Sequence, residues 1–176
     1  QANDVGDGGN AFEIDGKDAL IEFAGLVAAG TFAETYSAVQ VVANIDMSGY
    51  DWTPIEGFNN SIIDGGNYTI NGLNAPLFGT TTGATIKNVT LTNVAIVETE
   101  AAFTGSIVRV LQEGELNNCS AQGTLLVNNT TLSIAKPVDD YCNIAHGGLA
   151  GSAVSATIYN CESNVDVTVT SFGANN

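Results

Sequence analysis

The sequence predicts an all-β fold, a solenoid of the parallel β-helix kind with an N-terminal capping helix, and three observations carry that prediction. Beyond Gly30 the chain is a series of short β-prone runs broken by Gly, Asn and Thr. Within it, Gly79 to Asn88 and Gly151 to Asn160 both read Gly-x4-Ala-Thr-Ile-x-Asn, and self-similarity at a period of tens of residues marks stacked repeats. Ahead of the repeats lies one helical pattern with a single apolar face, which needs something to rest on.

Taken in order, residues 1–13 read as a flexible N-terminal segment. Gln1 to Asn10 are mostly Asp, Asn and Gly, and only Asp4 and Asp7 carry charge, so calcium is possible on composition but no motif supports it. Residues 14–176 form one domain, since 176 residues are near one domain's worth of chain. A helix over residues 17–29 comes first. Asp15 is its expected N-cap, Leu20, Phe23, Ala24 and Val27 fall at i, i+3, i+4 and i+7, and Gly30 ends it. This helix caps the open end of the stack.

Coils follow from about residue 38 to 170, beginning with the runs Ala38–Ile45 and Ser61–Ile70. Leu77-Phe78-Gly79 precedes Ile86 by seven residues counted from its glycine, and Leu149-Ala150-Gly151 precedes Ile158 by the same seven. A looser copy has Phe103-Thr104-Gly105 and then Leu116-Asn117-Asn118-Cys119, with four extra residues between. Each unit leads into a β-prone run: Val89–Val97, Ser120–Val127 and Val165–Thr170. The repeat positions are therefore Gly79, Gly105, Gly148, Leu149 and Gly151, with Asn88, Asn118 and Asn160 expected to align as a ladder. Glycine suits corners of positive φ. Ile86 to Leu116 spans 30 residues and Leu116 to Ile158 spans 42, so the surplus is expected as a loop insertion at about residues 128–142. Cys119 and Cys161 fall in neighbouring coils about 4.8 Å apart, which permits a disulfide, although two buried free thiols suit stacked identical side chains better.

Composition excludes several functions. Four Lys and Arg against 19 Asp and Glu give a net charge of −15, which argues against nucleic acid and against anionic membranes. No apolar stretch is long enough for membrane insertion of this segment. One histidine, His146, and three cysteines without a CxxC pair leave no zinc motif, so no metal site and no cofactor are expected. The chain opens at Gln1 without a basic or apolar targeting stretch and reads as mature sequence.

The segment Gly148-Leu149-Ala150-Gly151 resembles the GLUG motif, Gly-Leu-hydrophobic-Gly, of bacterial surface adhesin-like proteins. Ala43 to Ile55 and Ile63 to Leu73 are similar to the opening segments of that family, and the likeness spans roughly residues 14–170. The same module occurs in the non-catalytic part of IgA-specific metallopeptidases. The resemblance implies a right-handed parallel β-helix, a secreted or surface-attached protein of the Bacteroidetes type, and no catalytic residues. Phe103-Thr104-Gly105 departs from the motif in lacking its leading glycine, and Leu77-Phe78-Gly79 in following Pro76.

Catalysis finds little support in the residues. A metallopeptidase needs His-Glu-x-x-His, which is absent. Asp139-Asp140, His146-Gly147 and Asn164-Val165-Asp166 are fragments of a polysaccharide-hydrolase set, but their order is wrong and Arg109 is the sole arginine. Binding suits the chain better, because a regular face of stacked strands can offer aromatics to sugar rings and Asn, Asp and Thr to hydroxyls. The binding candidates are Asp139, Asp140 and Tyr141 in the insertion and Tyr159, which alternation places outward. Tyr50 and Tyr68 are further aromatics, and Trp52 reads as a packing anchor under the helix. The expected function is a non-enzymatic, adhesin-like module at the bacterial cell surface, binding a glycan or a host surface protein. The alternatives are a structural spacer and a polysaccharide-degrading enzyme. The last coil has no evident cap, so further domains of the same chain or a partner are expected to shield it.

Overall fold

The structure is a computed structural model that describes residues 10–129 and 145–171. Strand β1 (Ala11–Ile14) precedes helices α1 (Lys17–Ala28) and α2 (Phe32–Thr35). Short strands β2 (Ala38–Val41), β3 (Ile45–Asp46), β4 (Ile62–Asp64) and β5 (Thr69–Asn71) follow. Then come β6 (Phe78–Thr82), β7 (Thr85–Lys87) and β8 (Thr90–Thr99). The next set is β9 (Phe103–Thr104), β10 (Val108–Gln112), β11 (Glu115–Asn117) and β12 (Ser120–Asn129), and the last is β13 (Ala145–His146), β14 (Ala150–Val154), β15 (Thr157–Tyr159) and β16 (Glu162–Ser171). The fold is mostly β and its strand pairs are parallel. One sheet has the order β1-β2-β4-β7-β11-β15, a second β3-β5-β8-β12-β16, a third β6-β10-β14, and β9 pairs with β13. The chain thus visits the third, first and second sheets in turn, three times over.

Residues 11–13, which composition assigns to the opening segment, are part of β1 and pair with β2. Asp15 is likewise not the N-cap. Gly16 holds that position in an extended conformation, with no side-chain cap bond, and its carbonyl accepts from Leu20 N–H. The other end of α1 is as expected: Gly30 at φ 73 donates to Val27 O, and Thr31 donates to Leu26 O, which is the Schellman arrangement. Phe23 of α1 and Phe32 of α2 pack on Phe58 at ring separations of 5.5 and 5.8 Å, and Phe58 stacks on Phe78 of β6 at 5.3 Å. The helices therefore seal one end of the stack with aromatic rings.

The core is built in columns. Phe12, Val39, Ile63, Ile86, Leu116 and Ile158 are successive register partners along the first sheet. All are buried but the last, Ile158, which is 42% exposed. Val167 and Val169 of β16 are also exposed, so the end opposite the helices shows core-type side chains to solvent.

The corners are divided between asparagine and glycine for different reasons. Asn88, Asn118 and Asn160 all adopt positive φ, near 55°, a conformation asparagine tolerates better than most residues. Asn118 Nδ2 donates to Asn88 Oδ1 at 2.7 Å, and Asn88 Nδ2 donates to Asp64 Oδ1 at 2.9 Å. Gly105 and Gly151 do not have positive φ. Close approach requires them instead, since a Cβ on Gly105 would sit 2.6 Å from Ala150 Cα, and one on Gly151 would sit 2.6 Å from Thr104 N.

The register also moves one repeat position. Val108 pairs with Phe78 and Ala150, and Val110 pairs with Thr80 and Ser152. Arg109, not Gly105, therefore occupies the place of Gly79 and Gly151. From Arg109 to Leu116 is seven residues, the spacing of the other two copies, so the four extra residues disappear.

Two aspartates tie the early turns together and predict an acid response. The Ser48 hydroxyl, the Asn71 amide and the Ser48 N–H hold the Asp46 carboxyl at about 2. Burial pushes Asp64 up, but the Asn88 amide, the Gly66 N–H and Lys87 outweigh it and leave Asp64 below its ordinary value. Both groups bind protons more weakly folded than unfolded. Their contribution is complete above the ordinary aspartate value of 3.8 and is lost as pH falls toward 2. Thermal unfolding should show a Tm that is flat down to about pH 5 and falls below it. The acid limb should be shallower in an Asp46→Asn/Asp64→Asn variant, and an unchanged limb would refute the assignment.

Candidate binding cleft

The residues the sequence nominates for binding do not converge among the described residues. Asp139, Asp140 and Tyr141 lie outside them, as does most of the expected insertion, although Asn128 and Asn129 are the last residues of β12. Tyr159 is exposed on the first sheet, where its hydroxyl donates to Glu115 Oε1 at 2.8 Å. That bond, helped by some burial, raises its pKa. Tyr50 is half-buried and Tyr68 exposed. Cys119 and Cys161 are free thiols in neighbouring turns, between β11 and β12 and between β15 and β16; Cys119 is buried but Cys161 only half-buried, with Cys161 Sγ 3.4 Å from Cys119 N. Burial pushes the Cys119 thiol up to about 12.

Trp52 is buried, as a packing residue should be, but its bonds run along the stack and not to the helix. Its indole N–H donates to Pro76 O at 3.1 Å, and its backbone N–H donates to Asn74 Oδ1 at 2.9 Å. Asn74 Nδ2 in turn donates to Asp51 Oδ1 at 3.2 Å. These bonds fix the loop Asp51–Pro54 against the turn after β5, and that edge forms one wall of a cleft of about 670 Å³. The opposite wall is the end of β8 with the turn that follows it, Val97 to Ala102, together with Phe103. Thr80, Arg109 and Val110 complete the lining. The volume lies within the roughly 300–1,000 Å³ typical of small-molecule sites.

Two departures from the repeat meet in this cleft. Strand alternation turns Leu91, Val94 and Ile96 of β8 inward, and Glu98 is the next inward position. Its register partner in β12 is Val127, and Val127 pairs with Val169 of β16. Glu98 is thus a carboxylate in a valine column, only 8% exposed, whereas its neighbour Val97 is 61% exposed. Arg109 stands in the glycine position of the third sheet. Its Nη2 and Nε both donate to Glu98 Oε1, at 2.6 and 3.2 Å, while Nη1 stays 3.9 Å from Glu56 Oε1. Glu98 is costly here alone, because removing Arg109 leaves a buried carboxylate uncompensated, a loss of about 3–5 kcal/mol, whereas the Arg109 side chain is 35% exposed and keeps access to water. The glycines on either side are held by other contacts: a Cβ on Gly79 would meet the Glu56 carboxylate, and one on Gly151 would lie 2.6 Å from Thr104 N and 2.7 Å from the Arg109 carbonyl oxygen.

Thr104 and Ser106 lie close to this pair in the chain. Thr104 pairs in register with His146. Thr104 Oγ1, Ser106 Oγ and both ring nitrogens of His146 are buried without a hydrogen-bond partner. Desolvation lowers the His146 pKa, against the opposing pull of the Glu98 charge. Among the described residues no three His, Cys, Asp or Glu side chains converge as metal ligands, and no helix is long and apolar enough to cross a membrane. The sequence could have revealed the site through two signals: an acidic residue closing an otherwise apolar alternation, and the one arginine at the constant seven-residue spacing.

Residues 24–123 match the model of the M26 IgA1-specific metallo-endopeptidase N-terminal region, a stretch that includes Trp52, Glu98 and Arg109. No curated protein sequence matches the chain. Among solved structures it is similar in fold to a candidate immunoglobulin A1 protease from Bacteroides ovatus, with a TM-score of 0.50 and 15% sequence identity over 91% of this chain and 68% of that one. With 100 of its 176 residues inside that family's model, the chain belongs to the M26 IgA1-specific metallo-endopeptidase N-terminal region family.

Proposed function

We propose that the chain is a non-enzymatic recognition module, a right-handed parallel β-helix on a secreted or surface-attached protein that binds a glycan or a host surface protein through the Trp52–Glu98–Arg109 cleft. The observation that carries this reading is the meeting of two repeat-breaking residues in one cleft. A scaffold that needed only to stack would keep valine and glycine at those positions, and local rules are broken mainly where function demands it. Membership of a family described as the N-terminal region of an endopeptidase adds support, since a substrate-holding module is a natural companion to a protease. The exposed column end at Ile158 favours a second reading, a spacer extended by further coils.

The test is retention of the purified chain on immobilised mucosal glycoproteins, immunoglobulin A1 among them, and on glycan arrays, with released products assayed in parallel. Saturable retention without product is expected. Retention nowhere would favour the spacer, and released peptide or sugar would overturn the non-enzymatic reading.

A further inference from the structure

We propose that the cleft is built for a neutral, hydroxyl-rich sugar residue and excludes acidic sugars; this rests on the binding reading above. The argument begins with what the ion pair leaves over. Among the described residues both Arg109 bonds fall on Oε1 of Glu98 and no hydrogen bond reaches Oε2 of this nine-tenths-buried carboxylate, and Glu98 lines the cleft. Arg109 Nη1 is beyond hydrogen-bonding reach of Glu56 at 3.9 Å. The pair therefore offers one strong acceptor and one strong donor side by side. Two hydroxyls on adjacent sugar carbons match that arrangement, one donating to the carboxylate and its neighbour accepting from the guanidinium.

Charge then selects among sugars. Among the described lining residues the carboxylates of Asp51 and Glu98 face Arg109 as the one cation, and the whole chain carries −15. A sialic acid or uronate carboxylate would meet that surplus of negative charge. An amine or a basic peptide would meet the like charge of the Arg109 guanidinium. A neutral polyol can use both members of the pair without like-charge repulsion. Pro54, Ala101 and Phe103 supply apolar wall for the C–H face of a ring. Trp52 is too deeply buried to serve as the stacking platform and acts as the support beneath it.

The experiment compares the wild-type chain with two variants on one array. The array carries neutral oligosaccharides, their sialylated or uronate-bearing counterparts, amine-bearing glucosamine oligomers, and mucosal glycoproteins before and after enzymatic deglycosylation. Wild type should bind neutral members at least about tenfold more tightly than acidic counterparts, with the gap narrowing as salt rises. Glu98→Gln keeps the side-chain shape and the Oε1 acceptor but replaces the free acceptor with a donor. It should lose about tenfold or more on neutral sugars and discriminate less against acidic ones. Ala102→Trp, on the cleft wall, should block binding while leaving the circular dichroism spectrum and Tm unchanged. Tightest binding to acidic or amine-bearing sugars overturns the inference and leaves the binding module standing. So does neutral binding indifferent to both variants, or glycoprotein binding that survives deglycosylation. Retention on no sugar and no protein overturns both.

Discussion

Gly123→Ala should destabilise the chain by about 2–5 kcal/mol, combining a backbone term of roughly 1–3 kcal/mol with an overpacking term of similar size. Gly123 sits opposite a bulge in the parallel pairing of β12 with β8. β12 follows β8 in step from Ser120/Thr90 to Ala121/Leu91, then resumes at Gly123/Val94 with one more residue on the β8 side. Asn93 takes up that extra residue at φ 50 and ties it to Asn71 Oδ1 at 2.7 Å. Gly123 itself is at φ +139, and a Cβ there would press on the Val94 carbonyl oxygen and lie 2.6 Å from Val94 N. Those are backbone atoms on the neighbouring strand, so no side-chain rotation relieves the contact; the strands must separate. Thermal unfolding should show Tm lower by roughly 5–20 °C, given about 2–4 °C per kcal/mol for a chain of this size. Gly25→Ala is the matched control. It lies inside α1 with nothing within 4 Å of the added methyl, and should stabilise by roughly 0.5–1 kcal/mol. A Gly123 variant as stable as wild type would mean that the bulge is not built around that glycine.

The regular parts of this molecule were legible in the sequence because stacking repeats the same physical demand at a fixed spacing. Ile86, Leu116 and Ile158 each fill the same column, so each is aliphatic and each precedes an Asn by two residues. The helix was legible for the same reason, as its period is set by burial of Leu20 and Phe23. The cleft was not, because its residues differ from the repeat. Arg109 was hidden by a local likeness: Phe103-Thr104-Gly105 looks like a repeat glycine, and accepting it requires four inserted residues where constant spacing requires none. Glu98 lies one residue beyond the apolar run that ends at Val97, just where alternation would have claimed it as an interior position. Two-residue strands such as β9 and β13 exist only through their partners and leave no periodicity to read. The role of Trp52 depended on which corner it occupied, a fact fixed by Asn74 and Pro76 more than twenty residues away.

Phe58→Ala should cost about 3–5 kcal/mol, the usual range for emptying a buried phenylalanine site. The ring is 1% exposed and joins both helices to the strands beneath them, touching Phe23, Phe32 and Phe78. Neither helix can fill the void without leaving its other partners, since Phe23 also packs on Phe12 and Phe32 on Tyr36. The damage should therefore be uneven. Amide exchange in α1 and α2 should accelerate first, while β10, β11 and β12, which pair on both sides with neighbouring strands, keep their protection until global unfolding. The same variant separates stability from recognition. Phe58 lies two residues from Glu56, but Glu56 is only a distant partner of Arg109 at 3.9 Å, and Glu98 holds the guanidinium at 2.6 Å without it. Sugar affinity measured well below the lowered Tm should thus stay within about twofold of wild type, a difference of under 0.5 kcal/mol. A large loss of affinity with an intact fold would show that the cleft depends on the helical cap. A destabilisation under about 1 kcal/mol would show that the aromatic cluster can close over the void, and the cap would then be a lid resting on the stack and not its foundation.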